Sequence, residues 1–85
     1  MFRLWGKTFK NNKMTGDYVY ESDNYDINRT KRVFDGLEDI CKHFDLSVPM
    51  WLEGNIKRID KTRFYADSFI DSIDFDYLEI HVIDE

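Results

Sequence analysis

The stretch "DSIDFDYLEIHVIDE" (residues 71–85) sets six carboxylates and one imidazole among isoleucine, phenylalanine, leucine and valine, a composition that suits either a metal or acid/base site or a strand. A calcium loop needs oxygen ligands at alternating positions, a glycine for the sharp turn and a closing glutamate. Only Asp74 and Asp76 have such a spacing; Ile73, Phe75 and Leu78 interrupt it, and the stretch has no glycine. Carboxylates paired for acid/base work need one member in an apolar pocket, and nothing local singles one out. Read as structure, "FDYLEIHVI" (75–83) has period two, with Leu78, Ile80 and Val82 on one side and Tyr77, Glu79, His81 and Ile83 on the other. That is a strand with one buried face. No catalytic, cofactor or metal site is expected in it.

Working outward, "MFRLWGKTFK" (1–10) also alternates, setting Phe2, Leu4, Gly6 and Thr8 against Arg3, Trp5, Lys7 and Phe9. It reads as the first strand, "NNK" (11–13) as a turn and "MTGDYVYES" (14–22) as the returning strand, with Gly16 marking a bulge. "NRTKRVFDGLEDICKHFD" (28–45) is an amphipathic helix: Val33, Phe34, Leu37, Ile40, Cys41 and Phe44 form one stripe, and Asn28 or Thr30 is the N-cap. Lys31 with Asp35 and Glu38 with Lys42 are spaced for ion pairs on its exposed face. Pro49 forces Val48 to be extended and ends the helix. In "VPMWLEGNIKRI" (48–59) two short strands are expected, around Met50–Leu52 and Ile56–Ile59. "DKTRFYADSFIDSID" (60–74) has neither period, and Asp67 is the expected cap of one helical turn holding Phe69 and Ile70.

Eighty-five residues make one domain, 1–85, around one core, because a chain of this size buries only about 60–65% of the surface it exposes when unfolded. The apolar content of 42% and aromatic content of 16% suffice for a core and do not fit a disordered tail. No secretion signal or membrane span is legible, and the single cysteine, Cys41, excludes an intramolecular disulfide, so a cytoplasmic protein with no membrane association is expected. Cys41 lies in the apolar stripe of the helix, where a thiol is an inert core residue. His43 belongs on the partly covered edge of that helix, near a close backbone approach at Gly36, and His81 on the outer side of the last strand. One cysteine and two histidines are too few for a structural zinc site.

The net charge of −5 is unevenly spread. Residues 1–14 carry Arg3, Lys7, Lys10 and Lys13 with no acid, whereas residues 65–85 carry seven acids with no Lys or Arg. Paired terminal strands would neutralise each other and leave an acidic body that repels phosphate backbones.

Strand, strand, helix, short strand, short strand, helical turn, strand is an order that resembles the β-grasp fold of ubiquitin-like domains: α+β, ββαββ, one main helix on a mixed four- or five-stranded sheet. "ADSFIDSIDFDYLEIHVI" (66–83) resembles the ubiquitin-like ending, which implies a final strand parallel to the first and between it and the rest of the sheet. The words "RLWGK", "DKTRFY" and "SIDFDYLEI" also resemble a group of short uncharacterised proteins of anaerobic Firmicutes, implying a bacterial origin and no activity. Ubiquitin-like modifiers finish in two glycines, whereas this sequence finishes Ile83, Asp84, Glu85, so neither conjugation nor sulfur donation is expected.

If the first and last strands are neighbours, Arg3, Trp5, Lys7, Phe9, Tyr77, Glu79 and His81 share the face opposite the helix. That face is expected to be aromatic and basic, with Arg3 or Lys7 paired to Glu79, and to dock a protein partner there or along a strand edge. The expected function is therefore a non-enzymatic interaction module with an unidentified protein partner. The bland alternative is that these aromatics pack on one another, on the Tyr18–Tyr20 strand or under residues 53–65. The functional alternative is nucleic-acid binding through the N-terminal basic strand and a basic loop holding Lys57, Arg58, Lys61 and Arg63, with Trp5 and Phe9 as stacking platforms. The overall acidity weighs against it.

Overall fold

Two asparagines turn the first strand back on itself. In the computed structural model, which describes residues 1–85, β1 (Phe2–Lys10) and β2 (Lys13–Ser22) form an antiparallel hairpin in which Lys10 faces Lys13. The two-residue loop, Asn11 (φ 54°) and Asn12 (φ 65°), lies in the left-handed region, as a type I′ turn requires and as asparagine tolerates. The register slips between Thr8 and Phe9, leaving Thr15 unpaired beside Gly16. The expected bulge is there.

Helix α1 (Arg29–His43) starts where Asn28 accepts a 2.8 Å hydrogen bond from the Lys31 amide. It stops in a Schellman arrangement: the Leu46 amide donates to the Cys41 carbonyl at 2.8 Å and the Asp45 amide to that of Lys42 at 3.3 Å, with Asp45 itself at φ 58°. Val33, Leu37, Ile40 and Cys41 are buried as the stripe predicts, while Phe34 at its margin stays exposed. Lys31 pairs with Asp35, but Glu38 and Lys42 form no ion pair. Two glycines set the helix–sheet distance. Gly6 of β1 faces the Ile40 side chain, and Gly36 of α1 leaves only 2.7 Å between an added Cβ and Leu4.

The segment after the helix departs from expectation. Residues 50–52 form no strand; Trp51 instead packs edge-on against Phe64, ring centroids 5.0 Å apart. Residues 53–57 form a short helix, α2 (Glu53–Lys57), rather than part of a second strand. Strand β3 is Lys61–Tyr65, followed by a 3₁₀ turn at Ala66–Ser68 whose N-cap is Tyr65, not Asp67. Strand β4 (Tyr77–Asp84) closes the sheet. The strand order is β2-β1-β4-β3, and every pairing is antiparallel. β1 and β4 are neighbours as expected, but Leu4 pairs with Val82 and Thr8 with Leu78, so they run in opposite directions. The fold is α+β with four strands and one main helix. The mixed sheet and the parallel terminal strands implied by the ubiquitin-like resemblance are corrected by this register.

The inner face of the sheet supplies Phe2, Leu4, Phe64, Leu78 and Ile80 to the core under α1, with Val82 partly buried against it. Cys41 is in the same core, and burial pushes its thiol up to about 12. No helix is long and apolar enough to cross a membrane.

Candidate functional site: the outer face of the sheet

Alternation along four registered strands arranges the outer face in rows that cross the sheet. Arg3 lies beside Glu21 on β2 and Asp84 on β4; next comes Val19–Trp5–His81–Lys61, then Asp17–Lys7–Glu79–Arg63, then Met14–Phe9–Tyr77–Tyr65 at the hairpin end. All seven residues expected on this face are brought together on it. Sequence reasoning missed their neighbours on β2 and β3: Met14, Asp17, Val19, Glu21, Lys61, Arg63 and Tyr65. The alternation Lys61, Arg63, Tyr65 against Thr62 and Phe64 carries the signal for the β3 members, since the latter two are buried.

The third row is an ion lattice. Lys7 Nζ lies 2.9 Å from Glu79 Oε1, with side chains only 11% and 6% exposed, and Arg63 Nε lies 2.9 Å from the other Glu79 oxygen. Burial alone pushes the Glu79 carboxyl up, but hydrogen bonds and charge from Lys7 and Arg63 outweigh it and hold it below the ordinary 4.5. Asp17 accepts a 3.0 Å hydrogen bond from the Trp5 indole, and Lys7 sits 4.1 Å above that ring. In the first row Arg3 bonds Glu21 at 2.7 Å and Asp84 at 2.9 Å. The expected basic character is therefore corrected. The four outer cations Arg3, Lys7, Lys61 and Arg63 share the face with four carboxylates, Asp17, Glu21, Glu79 and Asp84, and Arg3, Lys7 and Arg63 are already paired.

The fourth row is apolar. Phe9 stacks on Tyr77 at 5.1 Å, Tyr77 meets Tyr65 at 5.4 Å, and Arg63 covers Tyr77 at 4.7 Å. Met14 and Tyr65 at its two ends are each 49% exposed. Tyr18 and Tyr20 do not join this face. They lie on the helix side, where Tyr18 bonds Asp39 at 2.8 Å and stacks on His43 at 4.2 Å, while Tyr20 abuts Gly36. His43 itself is exposed. The acids of residues 71–85 mostly have structural partners: Asp76 accepts from the Asn11 amide at 2.8 Å, Asp71 from Ser47, and Glu85 pairs with Arg29.

The four residues expected to form a basic loop do not. Lys57 closes α2 and Arg58 caps it, whereas Lys61 and Arg63 are strand residues. Between α2 and β3 lies a cleft of about 680 Å³ lined by Arg58, Lys61, Arg63, Tyr65, Asp67 and Ser68. Asn55, buried on α2, donates to the Arg63 carbonyl at 2.8 Å and to Thr62 at 2.7 Å, so the outer edge of β3 is partly capped from within. No family model, curated protein or solved structure matches this chain.

Proposed function

We propose that the chain is a non-enzymatic protein-interaction module that docks an uncharged, apolar segment of a partner protein on the Met14–Phe9–Tyr77–Tyr65 row. The observation that carries this reading is the contrast between adjacent rows. The ion row is satisfied internally, so a charged partner gains little there, whereas the aromatic row is left with exposed ends. Aromatic and methionine side chains are enriched at the cores of protein interfaces. The nucleic-acid alternative loses Arg3 and Lys7, whose charge is spent on Glu21, Asp84 and Glu79. A photo-crosslinking residue placed at Met14, compared with one at Glu38 on the exposed side of α1, tests the reading in cells of the source organism. It predicts a discrete polypeptide adduct at position 14 that Tyr65→Ser abolishes, and none at position 38. Equal labelling at both positions, or an adduct sensitive to nuclease, contradicts it.

A further inference from the structure

We infer that the free edge of β2 pairs with an extended, basic segment of a partner protein, which adds a fifth strand to the sheet; this contact is separate from the aromatic row. The order β2-β1-β4-β3 leaves β2 and β3 as the two edges, and Asn55 occupies part of the β3 edge through the Arg63 carbonyl. No element bonds to the edge of β2. Which of its groups face outward follows from β1. The Phe9 carbonyl accepts from the Asp76 amide at 2.7 Å, so Phe9 turns its main chain away from β2, and alternation makes Lys7, Trp5 and Arg3 do the same. Their partners Asp17, Val19 and Glu21 therefore direct their own amides and carbonyls outward. Such a row of donors and acceptors is a template for one more strand.

Charge decides the occupant. On the helix side, Asp35, Glu38, Asp39 and Lys42 are spaced three and four apart, so they share one face of α1, and with Tyr20 they wall a depression of about 580 Å³ beside β2. Lys31 neutralises Asp35, but Glu38 and Asp39 have no cation, and Lys42 is the only cation of a lining that holds four acids, Asp45 being the fourth. On the outer side, Asp17 makes no ion pair, and Glu21 shares Arg3 with Asp84. Both sides of the edge are acidic. An added strand therefore matches with cations opposite Asp17 and Glu21, an apolar residue opposite Val19, which is 37% exposed, and long cationic side chains over Tyr18 and Tyr20 that reach the depression. A second copy of this chain does not fit. Antiparallel self-pairing centred on Asp17, Val19 or Glu21 sets an acid opposite an acid, and like charges directly opposite destabilise a sheet.

The peptide acetyl-Thr-Lys-Arg-Val-Arg-Lys-Thr-amide carries this pattern in either direction, and its titration into the full chain, followed by amide NMR and hydrogen exchange, tests the inference. Binding should shift the amides along β2 and slow exchange at Asp17, Val19 and Glu21, whose amides face outward. N-methylation of the peptide's valine, whose amide meets Val19, should weaken binding about tenfold or more through a lost main-chain bond. N-methylation of its two arginines, whose amides point away from β2, should change affinity by no more than about twofold. All three peptides have the same charge, so the comparison separates strand addition from diffuse attraction and depends on no variant folding. The Asp17→Asn/Glu38→Gln pair, which leaves the Trp5 indole an acceptor, should weaken the parent peptide about threefold through lost cross-strand charge. Absence of binding, or equal affinity of the two N-methylated peptides, overturns the inference. So does exchange along β2 that slows with rising protein concentration in the absence of peptide, because a second copy then occupies the edge.

Discussion

Lys7 and Glu79 meet at 2.9 Å across two neighbouring strands, both side chains nearly shut off from water, on the face of the sheet that carries no helix. A buried ion pair roughly cancels its own desolvation cost, so its presence says more about register than about net stability. Replacing one partner is a different matter, because it leaves the other as an uncompensated buried charge. Lys7→Met is expected to cost about 1–3 kcal/mol, since Arg63 still holds Glu79, and Glu79→Leu about 3–5 kcal/mol, since Lys7 is left alone. The double replacement should recover most of the loss. Denaturant unfolding of the four proteins closes the cycle. Additive losses with no recovery contradict the pairing.

The same carboxylate links stability to pH. Its folded value lies below the ordinary 4.5, so its contribution is complete above that ordinary value and is lost as pH falls through the lower, folded one. Glu79→Gln removes this component. The stability gap between wild type and Glu79→Gln should therefore be constant near neutrality and shrink below about pH 4.5. A gap that widens in acid reverses the sign and refutes the assignment.

Two glycines separate close packing from open surface. At Gly36 an added methyl meets Leu4 at 2.7 Å and Tyr20 at 2.8 Å, whereas at Gly54, on the short helix, nothing lies within 4 Å. Gly36→Ala should destabilise by about 1–3 kcal/mol through overpacking. Gly54→Ala should stabilise by about 0.4–1 kcal/mol by restricting the unfolded chain. Opposite shifts of the thermal midpoint check both together.

The end of α1 offers a gain. Asp45 holds the left-handed position of the helix terminus at φ 58°, which glycine adopts without steric cost. Asp45→Gly should raise stability by about 1 kcal/mol, the lower end of the left-handed penalty for a residue with a Cβ, because aspartate tolerates that conformation better than most. A loss of stability means that the aspartate has a role beyond its backbone conformation.

Cys41 gives a kinetic readout. Burial in the core pushes its thiol up to about 12, so the native protein should resist a thiol-specific reagent at pH 8 and react at the rate of global opening. Immediate stoichiometric labelling contradicts the packing of α1 on the sheet.

Period-two alternation made β1 and β4 legible, and with them the membership of Arg3, Trp5, Lys7, Phe9, Tyr77, Glu79 and His81 in one face, because side chains on a strand have only two sides. Asn28 announced the helix start for an equally local reason, its side chain bonding the Lys31 amide. Strand direction is not local. Alternation looks the same in a parallel and an antiparallel neighbour, so the topological resemblance supplied a direction that the register reverses. β3 escaped because five residues, Lys61–Tyr65, give too short a pattern and run straight into a 3₁₀ turn. "EGNIK" lacks an apolar period and contains a glycine, which hid α2. The apolar run Met50–Leu52 suggests a strand, but Trp51 serves as a plug between Phe34 and Phe64. The face looked basic because its acids arrive from β2 and β4, whose register with Arg3 and Lys7 is set by tertiary pairing.

The outer face exists as described only if β4 enters between β1 and β3 running against both. Cross-strand NOEs in the folded protein measure this directly. The expected set links Leu4 to Val82, Gly6 to Ile80 and Thr8 to Leu78, and Thr62 to Ile80 on the other side. NOEs that instead advance in the same direction along residues 2–10 and 77–84 would make the terminal strands parallel, scatter the Lys7–Glu79 row and remove the proposed docking surface.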